Sequence, residues 1–108
     1  MDDSKMLKDI KSAGAWFVSE YAATILENFE QLKFDKSYKA ELVRKIHYEC
    51  KRDKDLGGTK TRVYALIRII ERKELEEALN YVIKSNKVNL KDPQAVSAAE
   101  ETLKNRYW

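Results

Sequence analysis

The chain is poor in the residues that cross-link a fold or bend it sharply. Its 108 residues include one cysteine, one proline and three glycines. The single cysteine, Cys50, excludes an intrachain disulfide, which is typical of a reducing intracellular compartment and predicts a cytoplasmic location. So few turn-forming residues argue against an all-β protein, because such a protein needs many tight turns.

The sequence also lacks a segment typical of targeting or membrane insertion. It begins Met1-Asp2-Asp3-Ser4, which is acidic where a secretory signal is basic. The most apolar stretch, residues 13–26, is only about two-thirds of a membrane span and contains Glu20. We therefore expect no membrane partner.

Residue sets that carry catalysis or hold metals are missing as well. The one histidine, His47, lies three residues before Cys50, and two ligands do not make a zinc site, which needs four, or three and a water. A buried Cys50 and a histidine at the edge of the core are the expected roles. The sequence holds no nucleophile–base–orienter set. It therefore predicts a protein that is not an enzyme and has no metal, cofactor or small-molecule substrate.

Charge is distributed very unevenly along the chain. Residues 1–32 carry a net charge of −3 and residues 74–108 carry −1, whereas residues 33–73 carry +7. A basic segment of this kind is where a nucleic acid or an acidic partner would bind. Its 13 basic residues are Lys33, Lys36, Lys39, Arg44, Lys45, Lys51, Arg52, Lys54, Lys60, Arg62, Arg68, Arg72 and Lys73.

Apolar residues recur at steps of three and four through most of the sequence, which predicts amphipathic helices. One helix is expected over residues 4–32, with Gly14 splitting off a short leading helix. Asp35 or Ser37 is expected to cap a second helix over residues 38–54. The pair Gly57-Gly58 is expected to end that helix.

The second half of the chain shows three further signals. Thr59 or Thr61 is expected to cap a third helix. Its apolar stripe changes phase near Lys73, which predicts a kink or short break there, with one long curved helix as the alternative. After a polar loop over residues 85–91, Asp92 and Pro93 predict the start of the last helix, and the terminal Trp108 is expected to dock on the protein.

The predicted fold class is all-α, a single domain over residues 1–108 with four to five helices in an irregular orthogonal bundle.

The segment from Gly57 to Arg68 is the most specific candidate for binding. A helix, a short glycine-containing turn and a second helix are compatible with a helix-turn-helix, whose second helix reads base edges. The amides and hydroxyls at the start of that helix would also suit a phosphate. The candidate nucleic-acid-binding residues are Lys51, Arg52, Thr59, Lys60, Thr61, Arg62, Tyr64, Arg68 and Arg72.

Two functions remain open at this point. The first is a non-enzymatic module that contacts DNA or RNA through residues 33–73. The second is a protein–protein interaction or homo-oligomeric adaptor domain without nucleic-acid binding, in which one of the two apolar stripes near Lys73 serves a partner. For the first, charge reversal of Arg62, Arg68 and Arg72 is expected to abolish binding and leave the helices intact.

Overall fold

The computed structural model describes residues 4–51, 53–85, 91 and 93–107, and over these residues the chain is helical and contains no strand. The all-α class is therefore confirmed. The described residues form seven helices, not four to five, and an orthogonal bundle is not an exact description of them. The helices are α1 (Ser4–Ala13), α2 (Ala15–Glu27), α3 (Phe29–Phe34), α4 (Lys36–Cys50), α5 (Leu56–Glu71), α6 (Leu75–Lys84) and α7 (Pro93–Arg106).

The helix expected over residues 4–32 is in fact three helices. Gly14, at φ 89°, separates α1 from α2 as predicted. A second break, at Asn28, was not predicted. The side chain of Asn28 donates to the Thr24 carbonyl at 2.8 Å and accepts from the Tyr38 hydroxyl at 2.8 Å. It therefore competes with the helical backbone and ties this turn to α4.

The boundaries of α4 and α5 differ from the sequence prediction. Asp35 caps α4 by accepting from the Tyr38 amide at 3.0 Å, as predicted, but the helix already begins at Lys36. It ends at Cys50, and Lys51, at φ 55°, occupies the left-handed position that was assigned to the glycine pair. Lys51 thus ends the helix without a glycine.

The start of α5 is likewise corrected. Asp55 is the cap and accepts from the Gly58 amide at 3.0 Å, so Gly57 and Gly58 lie in the first helical turn. Thr59 and Thr61 lie inside the helix and do not cap it. The Asp55 carboxylate satisfies an orphan amide of the first turn, as a threonine hydroxyl would, and the helix therefore begins at Leu56.

The predicted break near Lys73 is confirmed. Helix α5 ends at Glu71, Lys73 adopts φ 61°, and α6 begins at Leu75. The apolar residues on both sides of the turn, such as Ile70 and Leu79, are buried in the same core. The phase change of the stripe is therefore explained by the turn.

The last helix begins at Pro93, as predicted, and buries Val96, Ala99 and Leu103. The predicted cap Asp92, residues 86–90 of the predicted loop, and Trp108 lie outside the described residues.

Helix α2 lies at the centre of the fold and contacts α1, α3, α5, α6 and α7. Phe17, Val18, Ala22 and Ile25 of this helix are fully buried, and all seven described helices contribute to one contiguous core. In the part of the chain that the structure describes, no helix is both long and apolar enough to cross a bilayer.

Candidate nucleic-acid interface

Two of the predicted binding arginines are held by an acidic residue of α1. The carboxylate of Asp9, only 6% exposed, accepts from Arg68 Nη2 at 2.9 Å and from Arg72 Nη2 at 2.6 Å. Arg72 also donates from Nε to Glu74 at 2.7 Å. Both arginines therefore fasten α5 to α1, and their charges are balanced within the protein.

The lowered pKa of Asp9 indicates that its two arginine partners stabilise the ionised carboxylate. Burial by itself would raise the pKa of the Asp9 carboxyl, but the hydrogen bonds and charges of Arg68 and Arg72 outweigh burial and hold it below its ordinary value. The carboxylate is therefore ionised at neutral pH and neutralises part of the basic segment.

Arg62 uses more of its guanidinium nitrogens within the protein than Arg68 or Arg72 does. Its Nε and Nη2 atoms form a bidentate pair with Asp53, at 3.0 and 3.1 Å, and its Nη1 donates to the Ala13 carbonyl at 2.7 Å. The guanidinium carbon lies 5.1 Å from the centroid of the Trp16 ring. Arg62 thus places a cation at the C-terminal end of α1, where it satisfies an orphan carbonyl, and joins α1, α2 and α5.

The pKa of Asp53 is lowered by this environment. The hydrogen bond from Arg62 is the main cause; burial opposes it, and the Thr59 hydrogen bond and the nearby positive charges add to the lowering.

Thr59 belongs to the same hydrogen-bonded group as Asp53 and Arg62. It is 1% exposed, its hydroxyl donates to Asp53 Oδ2 at 3.1 Å, and the Nδ1 atom of His47 lies 2.8 Å from that hydroxyl. Since a hydroxyl has a single proton, His47 donates from Nδ1. Thr61 is exposed, and its hydroxyl donates to the Gly57 carbonyl at 3.0 Å. Both hydroxyl protons are therefore used inside the protein.

The remaining candidates lie on the surface of α4 and α5. Lys51 is exposed, with its Nζ 5.8 Å from the centroid of the Tyr48 ring. Arg52 lies outside the described residues. Lys60 and Tyr64 lie one turn apart on α5 and contribute to the cleft described next.

A cleft of about 190 Å³ lies between α4 and α5, and we name it the α4–α5 cleft. Tyr64 is half-buried in it, with Lys60 Nζ 5.3 Å and Lys39 Nζ 4.8 Å from the centroid of its ring. Arg44 and the partly exposed Leu56 also line the cleft. Two lysines thus approach one aromatic ring, and a third cation, Arg44, lines the same cleft.

The cleft lining includes no acidic residue among the described part of the chain. Asp55, next to Leu56 in the sequence, directs its carboxylate to the amide of Gly58. Unlike Arg62, Arg68 and Arg72, the cations Lys39, Arg44 and Lys60 have no ion-pair partner within the described residues. The positive charge of the segment is therefore uncompensated at this cleft.

Sequence reasoning counted Lys39 and Arg44 among the basic residues but did not place them in the site. A signal existed: a short connection makes consecutive helices neighbours, and α4 does pack against α5. Lys39 and Arg44, which lie near Val43 on α4, should then have been considered together with Lys60 and Tyr64.

His47 and Cys50 form hydrogen bonds with other residues, His47 with Thr59 and Cys50 with Tyr21. The Cys50 thiol donates to the Tyr21 hydroxyl at 3.0 Å, and burial followed by this contact raises the pKa of Tyr21. Cys50 is half-buried, less enclosed than predicted. Across the described residues, no three histidine, cysteine or acidic side chains are grouped so that they could hold a metal ion.

The chain matches no protein-family model, and comparison with curated proteins and with solved structures finds no match.

Proposed function

We propose that this chain is a non-enzymatic helical binding module that contacts nucleic acid through the α4–α5 cleft. The observation that supports the proposal most strongly is the approach of Lys39 and Lys60 to the Tyr64 ring, with Arg44 in the same cleft and no acidic residue in its lining. Lysine and arginine bind the phosphates that dominate affinity for nucleic acids. An aromatic ring beside them offers a surface on which a base can stack.

The ion pairs of the other arginines narrow the surface that was expected from the sequence. Arg62, Arg68 and Arg72 already donate to Asp53 and Asp9, and these carboxylates offset their positive charge. A phosphate that drew one of these arginines away would leave a mostly buried carboxylate without its partner, which is costly. We therefore assign phosphate contact to Arg44 and Lys60 in the cleft and to Lys39 beside Tyr64. We assign positioning of the helices to Arg62, Arg68 and Arg72.

The test is fluorescence anisotropy with mixed-sequence duplex DNA and with single-stranded RNA, each across a salt titration. Three phosphate contacts predict a slope of log K against log salt of about −3 for the duplex and about −2 for the single strand. Six contacts, with the three arginines included, would give about −5 on the duplex. Failure of both ligands to bind at low salt would refute the proposal.

A protein partner is the alternative function, and exposed aromatic residues favour it. Phe34 is 77% exposed and Tyr48 is 78% exposed, whereas most other apolar side chains of the described residues are at least partly buried. Aromatic residues are enriched at the centres of protein interfaces. Association through them would change little with salt, whereas phosphate binding falls steeply. Light scattering at two salt concentrations distinguishes self-association of this kind from nucleic-acid binding.

A further inference from the structure

The polar side chains at the start of α5 form hydrogen bonds inside the protein. Thr59 is buried and donates to Asp53, as Arg62 does. The Thr61 hydroxyl donates to the Gly57 carbonyl. A helix-turn-helix protein reads duplex DNA by directing the residues at this position of its second helix to base edges in the major groove. The start of α5 is therefore poorly suited to reading a duplex.

Tyr48 offers a large aromatic surface on α4. It is 78% exposed, and the Lys51 ammonium nitrogen lies 5.8 Å from the centroid of its ring. Among the described residues, the Tyr48 side chain makes no other ring contact and no hydrogen bond. Tyr64, by contrast, is half-buried, and two lysines approach its ring. Tyr48 therefore exposes more of its ring to a ligand than Tyr64 does.

Helices α4 and α5 lie side by side and run in opposite directions. Lys39 of α4 approaches Tyr64 of α5. His47, about two turns later on α4, is hydrogen-bonded to Thr59, which precedes Tyr64 on α5. The α4–α5 cleft follows the same direction, from Tyr64 toward Leu56.

Tyr48 extends this cleft along α4. Arg44 lines the cleft, and Tyr48 follows Arg44 by four residues. This spacing places the two side chains on one face of the helix, about 6 Å apart along its axis. Glu41 and Glu49 are also exposed on α4, but they do not line the cleft. A phosphate backbone bound at Arg44 would therefore pass beside the Tyr48 ring.

An exposed ring beside a row of cations suits a single strand better than a duplex. In a duplex the faces of the bases are covered by neighbouring bases, whereas an unpaired base can stack on an aromatic side chain. Stacking of this kind accepts any base, because every base has a flat aromatic face. The cations then bind the phosphates on either side of the stacked base.

We propose that the α4–α5 cleft and Tyr48 together bind single-stranded nucleic acid in preference to duplex. In this arrangement Lys39, Arg44 and Lys60 contact phosphates and one unpaired base stacks on Tyr48. The inference rests on the proposed function and specifies its ligand.

The test is fluorescence anisotropy of the full chain with three labelled ligands of equal length: oligothymidylate, oligouridylate and a mixed-sequence duplex. At one salt concentration the single strands should bind about tenfold more tightly or better, because only they add stacking to phosphate contact. Binding of either single strand in this way supports the proposal, and the tighter of the two identifies DNA or RNA.

Tyr48→Ala should weaken single-strand binding by about five- to hundredfold, the range expected for the loss of one stacked base. The variant removes no charge, so the slope of log K against log salt should stay the same. Tyr48→Phe should bind as the natural chain does, because it keeps the ring. Tyr81→Ala is the matched control: Tyr81 is 42% exposed on α6, and its loss should leave affinity unchanged.

The outcomes separate this inference from the proposed function. If Tyr48→Ala binds single strands like the natural chain while Lys39→Glu/Lys60→Glu does not, the cleft binds nucleic acid but the stacking role is overturned. The same holds if duplex binds as tightly as the single strands, or if Tyr48→Phe loses as much affinity as Tyr48→Ala. If no ligand binds at low salt, the inference and the proposed function are both refuted.

Discussion

The ammonium nitrogen of Lys39, on α4, lies 4.8 Å from the centroid of the Tyr64 ring, on α5. Such a contact between a cation and an aromatic face is attractive and joins the two helices at their shared surface. Lys60 approaches the same ring from within α5. The basic surface of the α4–α5 cleft therefore exists only when both helices are folded and packed together.

The first prediction concerns the buried carboxylate of Asp9. Asp9→Asn removes the negative charge and one of the two acceptor oxygens that hold Arg68 and Arg72, and hydrogen bonds to charged groups contribute roughly 2 kcal/mol each. We expect the free energy of unfolding to fall by about 2 kcal/mol, because the partly exposed arginines regain water in return. Urea denaturation followed by circular dichroism measures it. Glu41→Gln, on the exposed surface of α4, is the control and should change stability by less than about 0.5 kcal/mol. Equal stability of the two variants would contradict the role assigned to Asp9.

The second prediction concerns the stability of the folded protein at low pH. The pKa values of Asp9 and Asp53 are both lowered in the folded protein. Their contribution to stability is therefore complete above the ordinary aspartate pKa of about 3.9 and is lost as the pH falls through the folded-state values. Between about pH 5 and pH 2 the natural chain should lose more stability than Asp9→Asn, which has one such carboxylate fewer. Urea midpoints at several pH values test this, and parallel curves for the two proteins would refute it.

The third prediction concerns the turn between α1 and α2. Gly14 adopts φ 89°, and a Cβ atom there would lie 2.7 Å from Arg62 Nη1 and 3.0 Å from Trp16 Nε1. Gly14→Ala should therefore destabilise the protein by about 1–3 kcal/mol, because the left-handed backbone is strained and Arg62 is displaced. Gly57→Ala is the control, since Gly57 is helical and its Cβ would meet only the Asp55 carboxylate at 3.3 Å. Thermal unfolding should rank Gly14→Ala well below Gly57→Ala, and the reverse order would rule out the strain.

Local signals in the sequence predicted several elements correctly. Gly14, Asp35 and Pro93 mark helix boundaries where they were expected, because each acts on the backbone of its own turn. The change of apolar phase near Lys73 likewise predicted the turn between α5 and α6.

The sequence prediction missed features that depend on contacts between residues far apart in the chain. The break at Asn28 depends on the hydroxyl of Tyr38. Asp9 precedes its partners Arg68 and Arg72 by 59 and 63 residues, so no local pattern pairs them. The basic segment was therefore recognised from the sequence, but the division between its paired arginines and its unpaired cations required the tertiary structure.

This division changes how the site must be tested. Reversal of Arg62, Arg68 and Arg72 would place new carboxylates against Asp53 and Asp9, so we expect that triple variant to lose stability, and its binding defect would be ambiguous. Lys39 and Lys60 avoid this ambiguity. They are the fourth residue of α4 and the fifth residue of α5, and glutamate is a good helix former at such positions.

The most direct test is therefore the affinity of Lys39→Glu/Lys60→Glu for duplex DNA and single-stranded RNA, measured by anisotropy at low salt. Lys5→Glu/Lys8→Glu is the matched control, with the same change of charge on the exposed surface of α1. The account predicts that the cleft variant loses binding at least tenfold more than the control while both retain the natural helicity. Equal losses in the two variants would contradict the account, because they would show that net charge, and not the α4–α5 cleft, determines binding.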